Sequence, residues 1–298
     1  MQATCSSILS LVAGCIALAG CAIDPSERSE LRSGSLSRLE DPTFAPNLVN
    51  AGVWMPWRFR RAAGAGIYFL DSHDASKIPV LFIHGMYGSP RDFRYLISRL
   101  ERARFEPWFY YYASGDDLSS TVEHLLHEMD ALCAHYNVRS LIIVAHSMGG
   151  LIAREFVLRT SESHCSAVPV LVTLSTPWHG HRAAAIGSLF WPDAVRSWHD
   201  VATRSTYLEG LFTTKAGMRR RLPVSTEHHL LASVGRDNKR GADLDDGVVT
   251  VASQLRDAAC EDSYRIYRFE ETHVGILNSA AVAESINRAL ATVLKQPL

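Results

Sequence analysis

The chain has 298 residues, of which 47% are hydrophobic and 20% charged. That length and apolar share suit one large α/β domain with a substantial core. With Lys+Arg 30 against Asp+Glu 31, the formal net charge is -1, and nothing in that balance suggests nucleic acid or an anionic surface as a partner. The only basic run, Arg219-Arg220-Arg221, reads as a solvated patch.

The first 20 residues carry no charged side chain, and Ile8 to Gly20 is apolar and small. Such a stretch is too short to span a bilayer as a helix and fits the core of an export signal. It ends in Leu18-Ala19-Gly20-Cys21, which resembles the bacterial lipoprotein signal. The resemblance implies cleavage before Cys21, lipid on its thiol and a membrane anchor. Ala22 in place of an acid implies the outer membrane, facing the periplasm. Residues 1–20 are therefore expected to be a signal peptide and 21–50, rich in Ser, Arg, Glu and Pro, a tether. Residues 51–298 are expected to form the domain. Of six cysteines, Cys133, Cys165 and Cys260 would remain in it. They allow at most one disulfide and one free thiol. Cys133, on a helical apolar stripe, reads as a small buried apolar side chain.

Strand and helix then alternate. Gly66–Leu70 and Ile78–Ile83 read as strands. Ser89-Pro90 with Asp92 opens a helix that runs to about Arg102. Glu106–Tyr112 reads as a strand. Ser120-Thr-Val-Glu123 has the form of a capping box, followed by a helix with Val122, Leu125, Leu126, Met129, Leu132 and Cys133 on one face. Leu141–Val144 is a strand, Leu151–Leu158 a helix and Val168–Leu174 a strand. The alternation lapses over about 178–225, where an aromatic and apolar helical cap insertion is expected. Strands resume at Leu230–Val234 and Tyr264–Phe269, and Val282, Ile286, Leu290 and Val293 mark a last helix. The expected fold class is α/β: a mostly parallel sheet with helices on both faces.

Ser147 stands between the Leu141 strand and the Leu151 helix, among the small residues Ala145, Gly149 and Gly150. A strand that turns sharply into a helix at a serine presents the hydroxyl clear of the backbone. The segment resembles the nucleophile elbow of the α/β-hydrolase fold, with Ala145 in place of the usual first glycine. A serine hydroxyl is a poor nucleophile. It needs a base, an acid to hold that base and donors for the oxyanion.

The resemblance implies the chain order Ser, acid, His. Asp243–Ser253 resembles the Asp-Gly-x-Val segment of many lipases, which implies Asp246 as the acid, with Asp245 as the competitor. His273, in Glu271–Leu277, lies where the family keeps its base. His146 abuts the nucleophile but diverges from it on an elbow and reads as packing. His228-His229 reads as a strand start. Ile83–Gly88 resembles the His-Gly loop of lipases, which implies the amides of Met86 and Met148 as oxyanion donors. Thr176-Pro177-x-x-Gly180 resembles a turn that leads into a lipase cap.

From about Ile78 to Leu294 the chain thus resembles a serine lipase or esterase, close to the inositol-deacylase-like and bacterial lipase branches. The resemblance implies a lipid-anchored hydrolase of carboxylic esters, with an ester or acyl lipid as substrate, in the bacterial cell envelope. No cofactor, metal or nucleic acid is expected, although the resemblance does not exclude a structural metal at Asp243, Asp245 and Asp246. His179 and His181 have no further ligand group beside them. An acyltransferase on the same residues and a non-catalytic envelope scaffold remain the alternatives.

Overall fold

Apolar runs rich in branched residues build the strands, and the two faces of each central strand feed two different cores. The computed structural model describes residues 33–160, 167–190, 195–235 and 244–294. Its strands are β1 Ser35–Leu36, β2 Gly66–Phe69, β3 Ile78–Ile83, β4 Phe105–Tyr111, β5 Ile142–His146, β6 Val170–Leu174, β7 Glu227–Ser233 and β8 Arg265–Phe269. They form one 8-stranded sheet in the order β1-β2-β4-β3-β5-β6-β7-β8. The β2–β4 pair is antiparallel and the other pairs are parallel.

The helices are α1 Pro46–Trp54, α2 Pro56–Ala62, α3 Arg94–Ser98, α4 Leu118–Tyr136, α5 Met148–Thr160 and α6 Arg182–Phe190. They continue with α7 Ser197–Val201, α8 Thr206–Gly210, α9 Val251–Gln254, α10 Asp257–Glu261 and α11 Ala280–Val293. Side chains alternate across the central strands. Leu81, Ile83, Ile143 and Ala145 share a core with Leu125 and Met129 of α4 and Phe156 of α5. Val80, Phe82, Ile142 and Val144 share another with Leu96 of α3 and Ile286 and Leu290 of α11. Burial on both faces explains why these strands read as unbroken apolar runs.

The tether expected over 21–50 does not extend to residues 33–50. Ser35 pairs with Tyr68 in the sheet. Phe44 is 1% exposed and lies edge-on to Tyr68 and Tyr111, with ring centroids 5.4 and 5.0 Å away. Arg91 donates to the carbonyls of Leu39, Glu40 and Asp41. The stretch escapes periodicity because isolated anchors, Leu39 and Phe44, and backbone carbonyls hold it. The apolar cores lie between Leu39 and Val293, and the residues from Leu31 onward form a compact unit. The expected signal peptide and Cys21 lie outside the described residues.

Three further expectations change. Helix α4 is capped by Asp117, whose side chain accepts from Ser120 N at 2.8 Å. Ser120 is therefore inside the helix, and Glu123 pairs with Arg159 rather than closing a capping box. The helix expected to run to Arg102 begins as a 3₁₀ turn, Pro90–Phe93, and ends at Ser98. Cys133 is disulfide-bonded rather than only packed, while Cys260 is a free thiol.

The cap insertion holds α6, α7 and α8, and buried Arg154 of α5 ties its far end down. Its Nε donates to Leu211 O and its Nη2 to Arg220 O, both at 3.0 Å. It also pairs with Asp262, and its guanidinium lies 4.1 Å from the Phe212 ring centroid. Arg219 and Arg221 pair with Asp262 and Arg220 with Glu155. The basic run is thus an ion-paired seam between cap and body, not a solvated patch. The folded role of residues 33–50 is testable. Phe44→Ala should lower unfolding stability in urea by about 3–5 kcal/mol, whereas a tether would show no change.

Candidate active site

Ser147 follows β5, Asp246 follows β7 and His273 follows β8. These residues follow the carboxyl ends of parallel strands in the run β5-β6-β7-β8, where open α/β sheets bind ligands. Ser147 has φ 54°, a left-handed conformation that strains a residue with a side chain. Its amide is held by Leu174 O at 2.8 Å, and its carbonyl accepts from Gly150 N at 2.9 Å. The elbow needs close backbone contact. A Cβ on Gly149 would lie 2.4 Å from Ile83 O, and one on Gly85 would lie 2.8 Å from Ser147 Cβ.

His273 Nε2 lies 2.9 Å from Ser147 Oγ, and its Nδ1 lies 2.8 Å from Asp246 Oδ2. A carboxylate can only accept, so Nδ1 carries the proton and Nε2 is left to accept from the serine hydroxyl. The loop that carries His273 is fixed at both ends of the residue. Its amide donates to Asp246 O at 2.9 Å, and its carbonyl accepts from His146 Nε2 at 2.8 Å. Burial first, then the neighbouring His273, lowers the His146 pKa to about 3. His146 is therefore neutral packing, as its place on the elbow suggested.

Asp246 is buried and accepts from five further groups besides the ring. Oδ1 takes Val248 N at 3.0 Å and Val249 N at 2.7 Å. Oδ2 takes Ser233 Oγ at 2.5 Å and Gln254 Nε2 at 3.0 Å, while the residue's carbonyl takes the His273 amide. Burial alone would raise its pKa. The hydrogen bond and charge of His273, with Ser233 and the Val249 amide, outweigh burial and leave it below 3.8. Asp245 is turned elsewhere and accepts from Gly247 N at 2.9 Å. The structure therefore brings Asp246, not Asp245, to His273.

Sequence reasoning missed the support of this carboxylate. Ser175 Oγ lies 2.6 Å from Ser233 Oγ. Since Ser233 gives its proton to Asp246, Ser175 donates to Ser233. Gln254 Nε2 also donates to Ser233 O at 3.0 Å, and its Oε1 accepts from Ser233 N at 2.9 Å. Ser233, the last residue of the strand before the acid, could have been suspected by place. No sequence pattern marks Gln254.

The loop after β3 turns at Gly85–Gly88, where Gly88 N donates to Gly85 O at 3.1 Å. His84 shapes it from below. Burial lowers its pKa to about 4, and the neutral ring lies 2.8 Å through Nδ1 from Gly85 O. It stacks on Tyr112 at 4.3 Å. The amides of Met86 and Met148 donate to no acceptor among the described residues. His181 Nε2 lies 2.7 Å from Val248 O, and His228 is buried in β7 against Thr173 Oγ1 at 2.8 Å. No group of three or more metal-ligating side chains occurs among the described residues.

The PGAP1-like alpha/beta domain family matches residues 74–190, from just before β3 to the end of α6. No curated protein matches the chain in sequence. Among solved structures it is similar to the mature form of a Bacillus licheniformis lipase, at 15% identity and TM-score 0.55, over 74% of this chain and 94% of that one. A Listeria innocua gene product is similar at 14% identity and TM-score 0.54, over 72% and 94%. One of the metagenome-derived lipolytic enzymes LipS and LipT is similar at 16% identity and TM-score 0.53, over 74% and 95%. The chain has the α/β-hydrolase fold. On that fold the elbow, the His-Gly loop and the two loops after β7 and β8 meet at one edge of the sheet.

The lowered pKa of Asp246 has a consequence for stability. A carboxyl whose pKa falls on folding adds stability that is complete above its unfolded value, here 3.8. That stability is lost as pH falls through the lower folded value. Urea midpoints measured between pH 5 and pH 2 should therefore fall less steeply in Asp246→Asn than in the parent. Equal slopes would contradict the assignment.

Proposed function

We propose that the protein is a serine hydrolase of carboxylic esters, acting on acyl lipids. One observation carries the reading: the unbroken hydrogen-bonded line from Ser147 Oγ through His273 to Asp246, at 2.9 and 2.8 Å, starting from a serine in elbow geometry. The likeness to a lipase and a lipolytic enzyme supports it at the level of fold.

In this reading Ser147 Oγ bonds to the acyl carbon as His273 Nε2 takes its proton. Asp246 holds the ring in the required tautomer and balances the imidazolium charge. The carbonyl oxygen becomes an oxyanion that receives the Met86 and Met148 amides. Losing one such donor costs about 3 kcal/mol of transition-state stabilisation. Collapse breaks the ester C–O bond, and His273 returns the proton to the departing alcohol. Water then repeats the sequence on the acyl-enzyme and releases the acid. The Cys21 anchor belongs with this reading and places the domain beside lipid at the outer membrane. Labelled fatty acid should enter the protein in a bacterial host and fail to enter Cys21→Ser.

The decisive test is a fluorophosphonate probe with the adduct mapped by mass spectrometry. Labelling is expected at Ser147 and should vanish in His273→Ala. No adduct on the folded protein would sink the hydrolase reading and return the scaffold alternative. With a soluble p-nitrophenyl ester, Asp246→Asn should lower kcat about ten-thousand-fold. Asp245→Asn should stay within about threefold of the parent, because its carboxylate accepts from Gly247 N while Asp246 is the acid that meets His273. The reverse order would reassign the acid.

A further inference from the structure

The net charge of -1 conceals an uneven distribution. Helices α1, α2 and α6 contain four arginines, Arg58, Arg60, Arg61 and Arg182, and not one Asp or Glu. Arg60 pairs with Asp116. Arg58, Arg61 and Arg182 are exposed and meet no carboxylate among the described residues.

The same helices, with Met55 between α1 and α2, carry several of the large apolar side chains that the cores leave out. Trp57 is 62% exposed and Leu189 75%, with Trp54, Met55 and Ile186 also in the open. Ile186 and Leu189 are three residues apart and share one face of α6. Trp198 of α7 joins the two groups. Its ring meets that of Trp54 edge-on, at 5.6 Å. It also packs so closely on Gly187 of α6 that a Cβ there would lie 2.5 Å from the ring.

This face adjoins the candidate site through hydrogen bonds of Ser114, Gly115 and Ser197. Gly115 N donates to Gly52 O in α1 at 2.9 Å, and Ser197 N donates to Gly115 O at 3.2 Å. Ser197 Oγ donates to Ser114 O at 2.7 Å, and Ser114 Oγ accepts from Tyr87 N in the His-Gly loop at 3.2 Å. Helix α1, the cap and the oxyanion loop thus converge on Ser114-Gly115.

We propose that the α1–α2–α6 face docks the domain on an anionic lipid bilayer, with the tryptophans and leucine in the interface and the arginines on lipid phosphates. Charge complementarity selects this occupant. Trp favours the boundary between headgroup and acyl chain, where its ring is apolar and its N–H stays wet. Guanidinium binds phosphate in a two-pronged geometry, and unpaired arginines beside exposed apolar residues are the pattern of interfacial helices. Docking there would hold the His-Gly loop, which is tied to this face through Ser114, near the lipid.

The test uses the chain from Ile23 onward, which keeps the whole unit from Leu31 and lacks Cys21. It is sedimented with vesicles of phosphatidylcholine plus phosphatidylglycerol, and with phosphatidylcholine alone. The parent should partition at least about tenfold more strongly onto the anionic vesicles, and added salt should weaken the binding. Trp57→Ser with Leu189→Ser, and separately Arg58→Glu with Arg61→Glu, should each reduce partition at least about tenfold. Thermal midpoints and turnover of a soluble short-chain ester should be unchanged in both. Undiminished partition in either pair, or no partition by the parent, would overturn the proposal. So would dimerisation that Trp57→Ser abolishes, which would give the face to a second copy. Partition does not involve Ser147, so its outcome is separate from that of the hydrolase reading.

Discussion

The left-handed backbone at Ser147 is the constraint around which the rest is arranged. A non-glycine residue there costs about 1–3 kcal/mol and persists only where its neighbours leave no alternative. Three of them act together. The parallel pairing of β3 and β5 sets Ile83 opposite Ala145, which brings the His-Gly loop against the elbow. Leu174 O at the end of β6 holds the serine amide. Gly149 and Gly85 supply contacts too close for any side chain. The strand order of the sheet is thus also the order in which the site is assembled.

Proton direction along the site is fixed by a single acceptor-only group. Asp246 cannot donate, so each partner must give it a proton: His273 from Nδ1, Ser233 from Oγ, Gln254 from Nε2 and the two valine amides. That leaves His273 Nε2 as the one ring nitrogen with a free lone pair, and it faces Ser147. Burying a carboxylate is costly unless it is fully hydrogen-bonded. The number of donors around Asp246 is what allows a charge to sit in the interior while its pKa stays low. Two other histidines at the site, His84 and His146, lack such a partner and are neutral by burial.

Helix α5 links this chemistry to the cap. Its first residue follows the nucleophile, and one side chain further along, Arg154, grips the carbonyls of Leu211 and Arg220. A buried guanidinium held by two carbonyls, one carboxylate and one aromatic face is expensive to disturb. The end of the insertion is therefore fastened to the same helix whose start carries Ser147. Its beginning is held as well, by Ser253 Oγ on Gly180 O and by His181 on Val248 O. Between these two ties the insertion presents the exposed leucine of α6.

The sequence by itself determined the alternation of strands and helices, because period and burial are written locally in runs such as Leu141–Val144 and in the stripe of α4. It determined Ser147 and His273 as candidates, since small residues around a serine and a histidine between a strand and a helix are local patterns. Other features only the tertiary structure decided. Asp246 and Asp245 are chemically identical neighbours, and only the turn closed by Gly247 N separates them. Ser175, Ser233 and Gln254 act across 58 and 21 residues of chain, a distance no local pattern reports. Residues 33–50 looked like a tether because two apolar anchors make no period. The apolar and basic face of α1, α2 and α6 was hidden in a near-zero net charge, because a sum over the chain says nothing about where charges meet in space.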